Sequence, residues 1–285
     1  PSLTVGLLTR RTQPQPAISV VNGFVIRPLP VEKADELVAP FIGNKKEPQV
    51  WGWFSYPNYM DFRQQNKSLS GLLAWTMTSA GVSASGGGNS GDGGRAEIAW
   101  GELVSDNYFE VLGVKPVLGR GFLPEENRAP NTHPVVVLGH SLWRQRFNAD
   151  PGIVGRTIYL NGSPFTIIGV APATFKGVKF AFPQSFWVPL MMSAKFSVGG
   201  DWVNNRAWGR FTLIGRLKPG VTREQAEADL NLIAENLDKL YPNTNADSKV
   251  QVASDFVVRR RAGLGDCVLG SGPGLCFVSA DAVSD

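Results

Sequence analysis

The residues best placed to do chemistry are Gly139-His-Ser-Leu-Trp143. A serine between an apolar run (Val135 to Leu138) and a helical turn is where a nucleophile elbow presents its hydroxyl. The closing glycine of G-x-S-x-G is missing, and a hydrolase of this type needs a histidine after the serine, whereas none follows His140. Ser141 is therefore expected to cap a helix. His133 and His140 lie seven residues apart, separated by a strand pattern, with no cysteine or carboxylate at ligand spacing, which argues against a metal site. Glu125 with Glu126, or Asp201 beside Trp202, has the residue types of a glycosidase pair. Sequence spacing does not set the separation of such carboxyls, and isolated acids are ordinarily solvated. The glycine-dense stretch at 85–94 lacks G-x-x-x-x-G-K-[ST] and has no lysine after it, so it is no phosphate cradle and the chain is not expected to hydrolyse ATP. Cys267 and Cys276 are the only cysteines, which leaves residues 1–266 without a disulfide framework or thiolate zinc site. Whether the two pair depends on the redox compartment. No catalytic, cofactor-binding or metal-binding residue is assigned, and no cofactor is implied.

The elements that would hold such residues are mixed. The chain has 285 residues, 43% apolar and 18% charged, with a net charge of +4. That is the composition of a folded globular chain of one or two domains. The scattered charge offers no nucleic-acid surface. No apolar run reaches the ~18–20 residues of a membrane-spanning helix, so the polypeptide is expected to be soluble.

Val20 to Ile26 is a short apolar run stopped by Pro28 and Pro30. Ser55 to Arg63 begins a helix, with Pro57 in its first turn. Leu72 to Val82 and Arg95 to Val104 read as strands flanking the glycine-rich loop. Ser105 to Leu112 reads as a short helix ended by Gly113. Arg156 to Leu160 and Phe165 to Val170 form a hairpin pattern around Asn161-Gly162, which Ser163-Pro164 could lengthen. After a strand at Phe211 to Leu217, Thr222 and Gln225 make a capping box. Ala226, Leu230, Ile233, Leu237 and Leu240 follow as one stripe. Tryptophans such as Trp75, Trp100, Trp143, Trp187 and Trp208 are expected in the core. Beyond about Val250 the Arg/Gly-rich tail has no periodicity and is expected to be poorly ordered.

The order of phrases along the chain adds a resemblance. Ile18-Ser-Val-Val-Asn-Gly-Phe-Val-Ile-Arg-Pro-Leu-Pro30, Ser55-Tyr-Pro-Asn-Tyr-Met-Asp-Phe-Arg63 and Gly101-Glu-Leu-Val-Ser-Asp-Asn-Tyr-Phe-Glu-Val-Leu-Gly-Val114 are followed by Leu118-Gly-Arg-Gly-Phe122, Asp150-Pro-Gly-Ile-Val-Gly-Arg-Thr157 and Gly215-Arg-Leu-Lys-Pro-Gly-Val-Thr222. Together they resemble the MacB-like periplasmic core domain of FtsX/MacB-type ABC transporter permeases, in the duplicated-permease branch abundant in Acidobacteria. The resemblance covers residues 18–250. It implies an α+β fold of mixed sheets and short helices in two lobes, placed between the first two membrane helices on the periplasmic face of the cytoplasmic membrane. It also implies a non-catalytic role: relaying ATP-driven movement of membrane helices to substrate export or to a periplasmic partner. The implied partners are a cytoplasmic ABC ATPase, a second permease copy and a periplasmic adaptor. Residues 1–17 and 251–285 depart from the family pattern and lack its membrane helices, which points to an excised or frame-shifted fragment. The alternatives are a stand-alone periplasmic ligand-binding module and a secreted hydrolase using Ser141 or the acidic residues.

Overall fold

A computed structural model describes residues 31–84, 97–178, 183–196 and 202–254. The Val20 to Ile26 run, the glycine-rich loop, Arg95, Asp201, the tail after 254 and both cysteines lie outside the described residues.

The strands are β1 (Leu37–Asn44), β2 (Glu47–Gly52), β3 (Leu69–Ser83), β4 (Glu97–Val104), β5 (Leu118–Gly119), β6 (Val135–Leu138), β7 (Thr157–Leu160), β8 (Ser163–Val170), β9 (Phe186–Pro189), β10 (Thr212–Leu217) and β11 (Ser248–Ser254). All belong to one hydrogen-bonded sheet with a main path β11-β1-β10-β3-β4-β9-β6-β8-β5. Strand β7 pairs with both β8 and the far end of β3, with Val82 opposite Leu160. That contact closes β3-β4-β9-β6-β8-β7 into a ring. The β4–β9 and β6–β8 contacts are parallel and the others antiparallel. The two lobes are thus a small mixed barrel and an open wing, β11-β1-β10, and both use β3. Fifteen residues long, β3 pairs with β10 over its first half and with β4 over its second.

Alternation with period two sorts the apolar residues onto two faces. Leu72, Ala74, Leu103, Leu138, Phe186 and Leu213 enter one buried cluster, while Leu73, Trp75, Val104, Val137, Trp187 and Ile214 enter the other. Inside the barrel, Phe186 stacks on Phe196 with centroids 5.9 Å apart. The backbone opposite must be Gly101, because a Cβ there would lie 2.3 Å from the Phe186 ring.

Five α-helices cover this sheet among the described residues: α1 (Tyr56–Gln65), α2 (Tyr108–Leu112), α3 (His140–Phe147), α4 (Arg223–Leu240) and α5 (Pro242–Asn245). Helix α1 starts at Ser55, whose Oγ accepts from the Asn58 N–H at 3.3 Å, and α2 ends on Gly113 at φ 69°. The capping box at the start of α4 forms as expected. Gln225 N–H donates to Thr222 Oγ1 at 3.2 Å, and Thr222 N–H donates to Gln225 Oε1 at 2.9 Å. The β7–β8 turn keeps two residues, with Leu160 opposite Ser163 and positive φ at Asn161 and Gly162. Ser163 and Pro164 belong to β8 and do not lengthen the loop.

Three expectations need correction. Ser141 does not cap α3. Gly139 holds the cap position, since a side chain there would lie 2.8 Å from the Gln184 carbonyl oxygen. Leu240, the last residue of α4, is 67% exposed, and Ala234 joins the buried stripe formed by Ala226, Leu230, Ile233 and Leu237. Trp75 and Trp187 are core residues, but Trp100 is 44% exposed near the start of β4, on the side where Ile98 is also exposed.

Candidate functional site: the paired first and last strands

The chain enters the described fold along β1 and leaves it along β11. These strands are antiparallel neighbours, in register from Val38 opposite Ser254 to Asn44 opposite Ser248. The start of β1 and the end of β11 therefore lie side by side.

The incoming side is fixed by Arg216 on β10. Its Nε donates to the Val111 carbonyl at 2.8 Å, its Nη1 to Lys33 O and Glu36 Oε2 at 3.1 Å each, and its Nη2 to Glu32 O at 3.0 Å. One guanidinium thus joins the lead-in to β1, strand β10 and the end of α2. Hydrogen bonds from Lys33 and Arg216 hold the Glu36 carboxyl below its ordinary pKa. Helix α2 is anchored in turn by Glu102, which is fully buried on β4. Its Oε2 accepts from the Tyr108 hydroxyl at 2.5 Å and from Trp187 Nε1 at 2.8 Å. Burial first, and the nearby Glu102 second, push the Tyr108 phenol well above its ordinary pKa.

Among the described residues no strand pairs with the outer edge of β11, and α4 covers it. Asn231 presents its amide as a strand would: Nδ2 donates to Val250 O at 2.7 Å, and Oδ1 accepts from Val250 N–H at 2.9 Å. One helical turn earlier, Glu227 Oε2 accepts from Val252 N–H at 2.8 Å. These side chains satisfy edge groups that would otherwise invite another strand.

An open cleft of about 580 Å³ lies at the α4–α5 corner, lined by Pro57, Val203, Arg206, Leu240, Tyr241 and Asn243. Arg206 sits 3.8 Å from the Tyr241 ring centroid and donates to Asn58 Oδ1 at 2.5 Å and Asp61 Oδ2 at 2.6 Å.

Among the described residues, those singled out by sequence do not assemble into a reaction centre. Ser141 is exposed on α3, and the His140 ring packs against Trp143 with centroids 5.4 Å apart. His133 Nδ1 shares a hydrogen bond with Thr132 Oγ1 at 2.8 Å. Glu125 points to solvent, whereas Glu126 is buried, taking Arg120 in a two-pronged pair at 2.7 and 2.9 Å and the Leu123 N–H at 2.8 Å. Its acceptor sites are filled by structure. Among the described residues no three His, Cys, Asp or Glu side chains converge on a metal-sized site, and no helix is long and apolar enough to cross a membrane. Sequence reasoning missed Arg216, Asn231 and Glu227. The one available signal was the Glu227–Asn231 spacing of four, which puts both on one helical face.

A family model described as MacB-like periplasmic core domain matches residues 13–233. The chain belongs to this family. Its fold is that of solved MacB-type domains. The periplasmic region of MacB from Actinobacillus actinomycetemcomitans aligns with a TM-score of 0.53 at 18% identity, covering 80% of this chain and 95% of that one. A domain of a putative permease from Porphyromonas gingivalis aligns with a TM-score of 0.54 at 14% identity, covering 79% and 92%. Among curated proteins, a probable export ATP-binding/permease protein of Pseudomonas fluorescens (strain Pf0-1) is 27% identical over 150 residues. That match takes in 52% of this chain, which spans only 22% of the relative.

Proposed function

We propose that this MacB-like domain is a non-catalytic relay on the outer face of the cytoplasmic membrane. In this reading it is carried by an ABC permease, driven by a cytoplasmic ATPase and paired with a second permease copy. Movement of the membrane helices passes into the domain and on to exported substrate or a periplasmic adaptor. The observation that supports the reading is the adjacency of β1 and β11, with Val38 opposite Ser254. A domain mounted on two neighbouring segments can be displaced as one body. Arg216 reinforces this by clamping Glu32, Lys33 and Glu36 to β10. The core unit taken from sequence, 18–250, is carried on by β11 to Ser254. The chain before residue 18 and after Ser254 serves in this proposal as connections.

The test uses the intact permease with its ATPase in liposomes, spin-labelled at Lys46 on each copy. ATP is expected to change the label-to-label distance. A flexible ten-residue Gly/Ser insertion after Val31 is expected to abolish the change while ATP hydrolysis continues. A distance indifferent to nucleotide in the unaltered permease would overturn the relay. The cleft beside Arg206 and Tyr241 favours a second reading, a ligand-binding module, which predicts a saturable thermal shift of the isolated domain with candidate ligands.

A further inference from the structure

Five arginines are half-buried among the described residues. Four have a carboxylate: Arg63 with Asp106, Arg146 with Glu97, Arg206 with Asp61 and Arg216 with Glu36. Arg210 has none among the described residues, and its buried Nε has no acceptor. Burial alone lowers its pKa, with no opposing ion pair. Removing a charge from water without compensation is costly. A guanidinium without a carboxylate among the described residues, in an otherwise paired set, is a candidate to take up an anion.

Its surroundings are fixed and aromatic. The Arg210 guanidinium carbon lies 5.8 Å from the Trp208 ring centroid. Arg210 N–H and Phe211 N–H both donate to Phe54 O at 2.9 Å, and Phe54 N–H donates back to Phe211 O at 2.9 Å. Between Trp208 and Arg210 only glycine fits, because a Cβ on Gly209 would lie 2.4 Å from the Trp53 carbonyl oxygen. Trp53 itself is 40% exposed. The chain thus holds a guanidinium beside one indole, on a backbone that packs at Gly209 against that of Trp53.

We infer that Arg210 and Trp208 form a binding subsite for a carboxylate. The carboxylate sits end-on against the two terminal nitrogens of Arg210, whose planar fork matches its two oxygens. The Trp208 indole shields the pair from water on one side. An acidic side chain of a partner peptide and a free small carboxylate are the two sources of this group. The site does not depend on the relay role, and either can fail alone.

The test is NMR of the Arg210 Nε–H resonance in the whole chain, titrated with sodium succinate and with the blocked peptide acetyl-Gly-Glu-Phe-Gly-amide. Sodium chloride at matched ionic strength is the control. A saturable shift with either probe is expected, absent with chloride. Binding followed by Trp fluorescence should weaken about fivefold or more in Arg210→Lys, which keeps the charge but loses the fork, and vanish in Arg210→Gln. Peptide binding more than tenfold tighter than succinate identifies a protein partner, and equal affinities identify a free carboxylate. No saturable shift in the unaltered chain up to tens of millimolar overturns the subsite, as does equal binding by Arg210→Gln.

Discussion

The hydrogen bonds from α4 to the edge of β11 make a quantitative prediction. In Asn231→Ala the Val250 N–H and C=O both lose their partner. Val250 is fully buried, so water does not replace the amide without local opening. Each orphaned buried group costs about 1–3 kcal/mol, so the pair costs about 2–6 kcal/mol. Alanine returns at most about 0.7 kcal/mol through its better helix propensity. The low end of the net loss is therefore about 1.3 kcal/mol. For a domain of this size that lowers Tm by about 3–5 °C. Asn231→Asp keeps an acceptor for Val250 N–H but has no donor for Val250 O, and it should fall between Asn231→Ala and the unaltered chain. Thermal unfolding by circular dichroism reads all three, and hydrogen exchange at Val250 reports whether the loss is local. A Tm within 1 °C of the unaltered chain, with Val250 still protected, would show that the edge does not need Asn231.

Other outcomes follow from the packing and the charges. Leu230→Asp places a carboxylate in the buried stripe of α4 and should cost about 4 kcal/mol or more, whereas Leu240→Asp, at an exposed position, should leave Tm unchanged. Gly101→Ala drives a Cβ into the Phe186 ring and should destabilise the barrel by about 1–3 kcal/mol in urea unfolding. Burial raises the Asp106 pKa, but the paired Arg63 outweighs it and leaves the carboxyl below its ordinary 3.8. Its stabilising contribution is therefore complete above that value and disappears as pH falls below it through the folded-state pKa. Asp106→Asn should be less stable at pH 7 and show a shallower acid loss, and an acid limb identical to the unaltered chain would contradict this.

The parts of the fold legible in sequence are those whose signal is local. The Thr222–Gln225 box, the Asn161-Gly162 turn and the Gly113 stop each need only the chemistry of a few neighbouring residues, and each stands where the sequence put it. What failed, or was invisible, depends on distant chain. Gly139 displaced Ser141 as a cap because of the carbonyl of Gln184. Leu240 belongs to the helical stripe by spacing, yet the last residue of α4 stands exposed. The barrel seam rests on β7 meeting the tip of β3, and the Arg216 clamp joins residues more than 180 positions apart. Asn231 resembles any surface asparagine until a strand edge stands beside it. The family, in contrast, was legible from ordered phrases, which need no geometry.

The register of β1 against β11 also determines which forces the domain can carry. If the segments continuing from Leu37 and Ser254 are drawn apart sideways, the load falls on the Val38–Ser254 pair first and opens the ladder one pair at a time, as in a zipper. If both are displaced together, no pair is loaded and the wing and barrel move as one. In the proposed relay the strand pair therefore filters mechanical input: it passes what its two mounts do in common and yields to what they do differently. Arg216 sharpens the filter by tying the incoming mount to β10, one strand further into the sheet. In the proposed relay, a partner touching the barrel would feel the shared tilt and translation of the two segments that flank β1 and β11, and little of their separation.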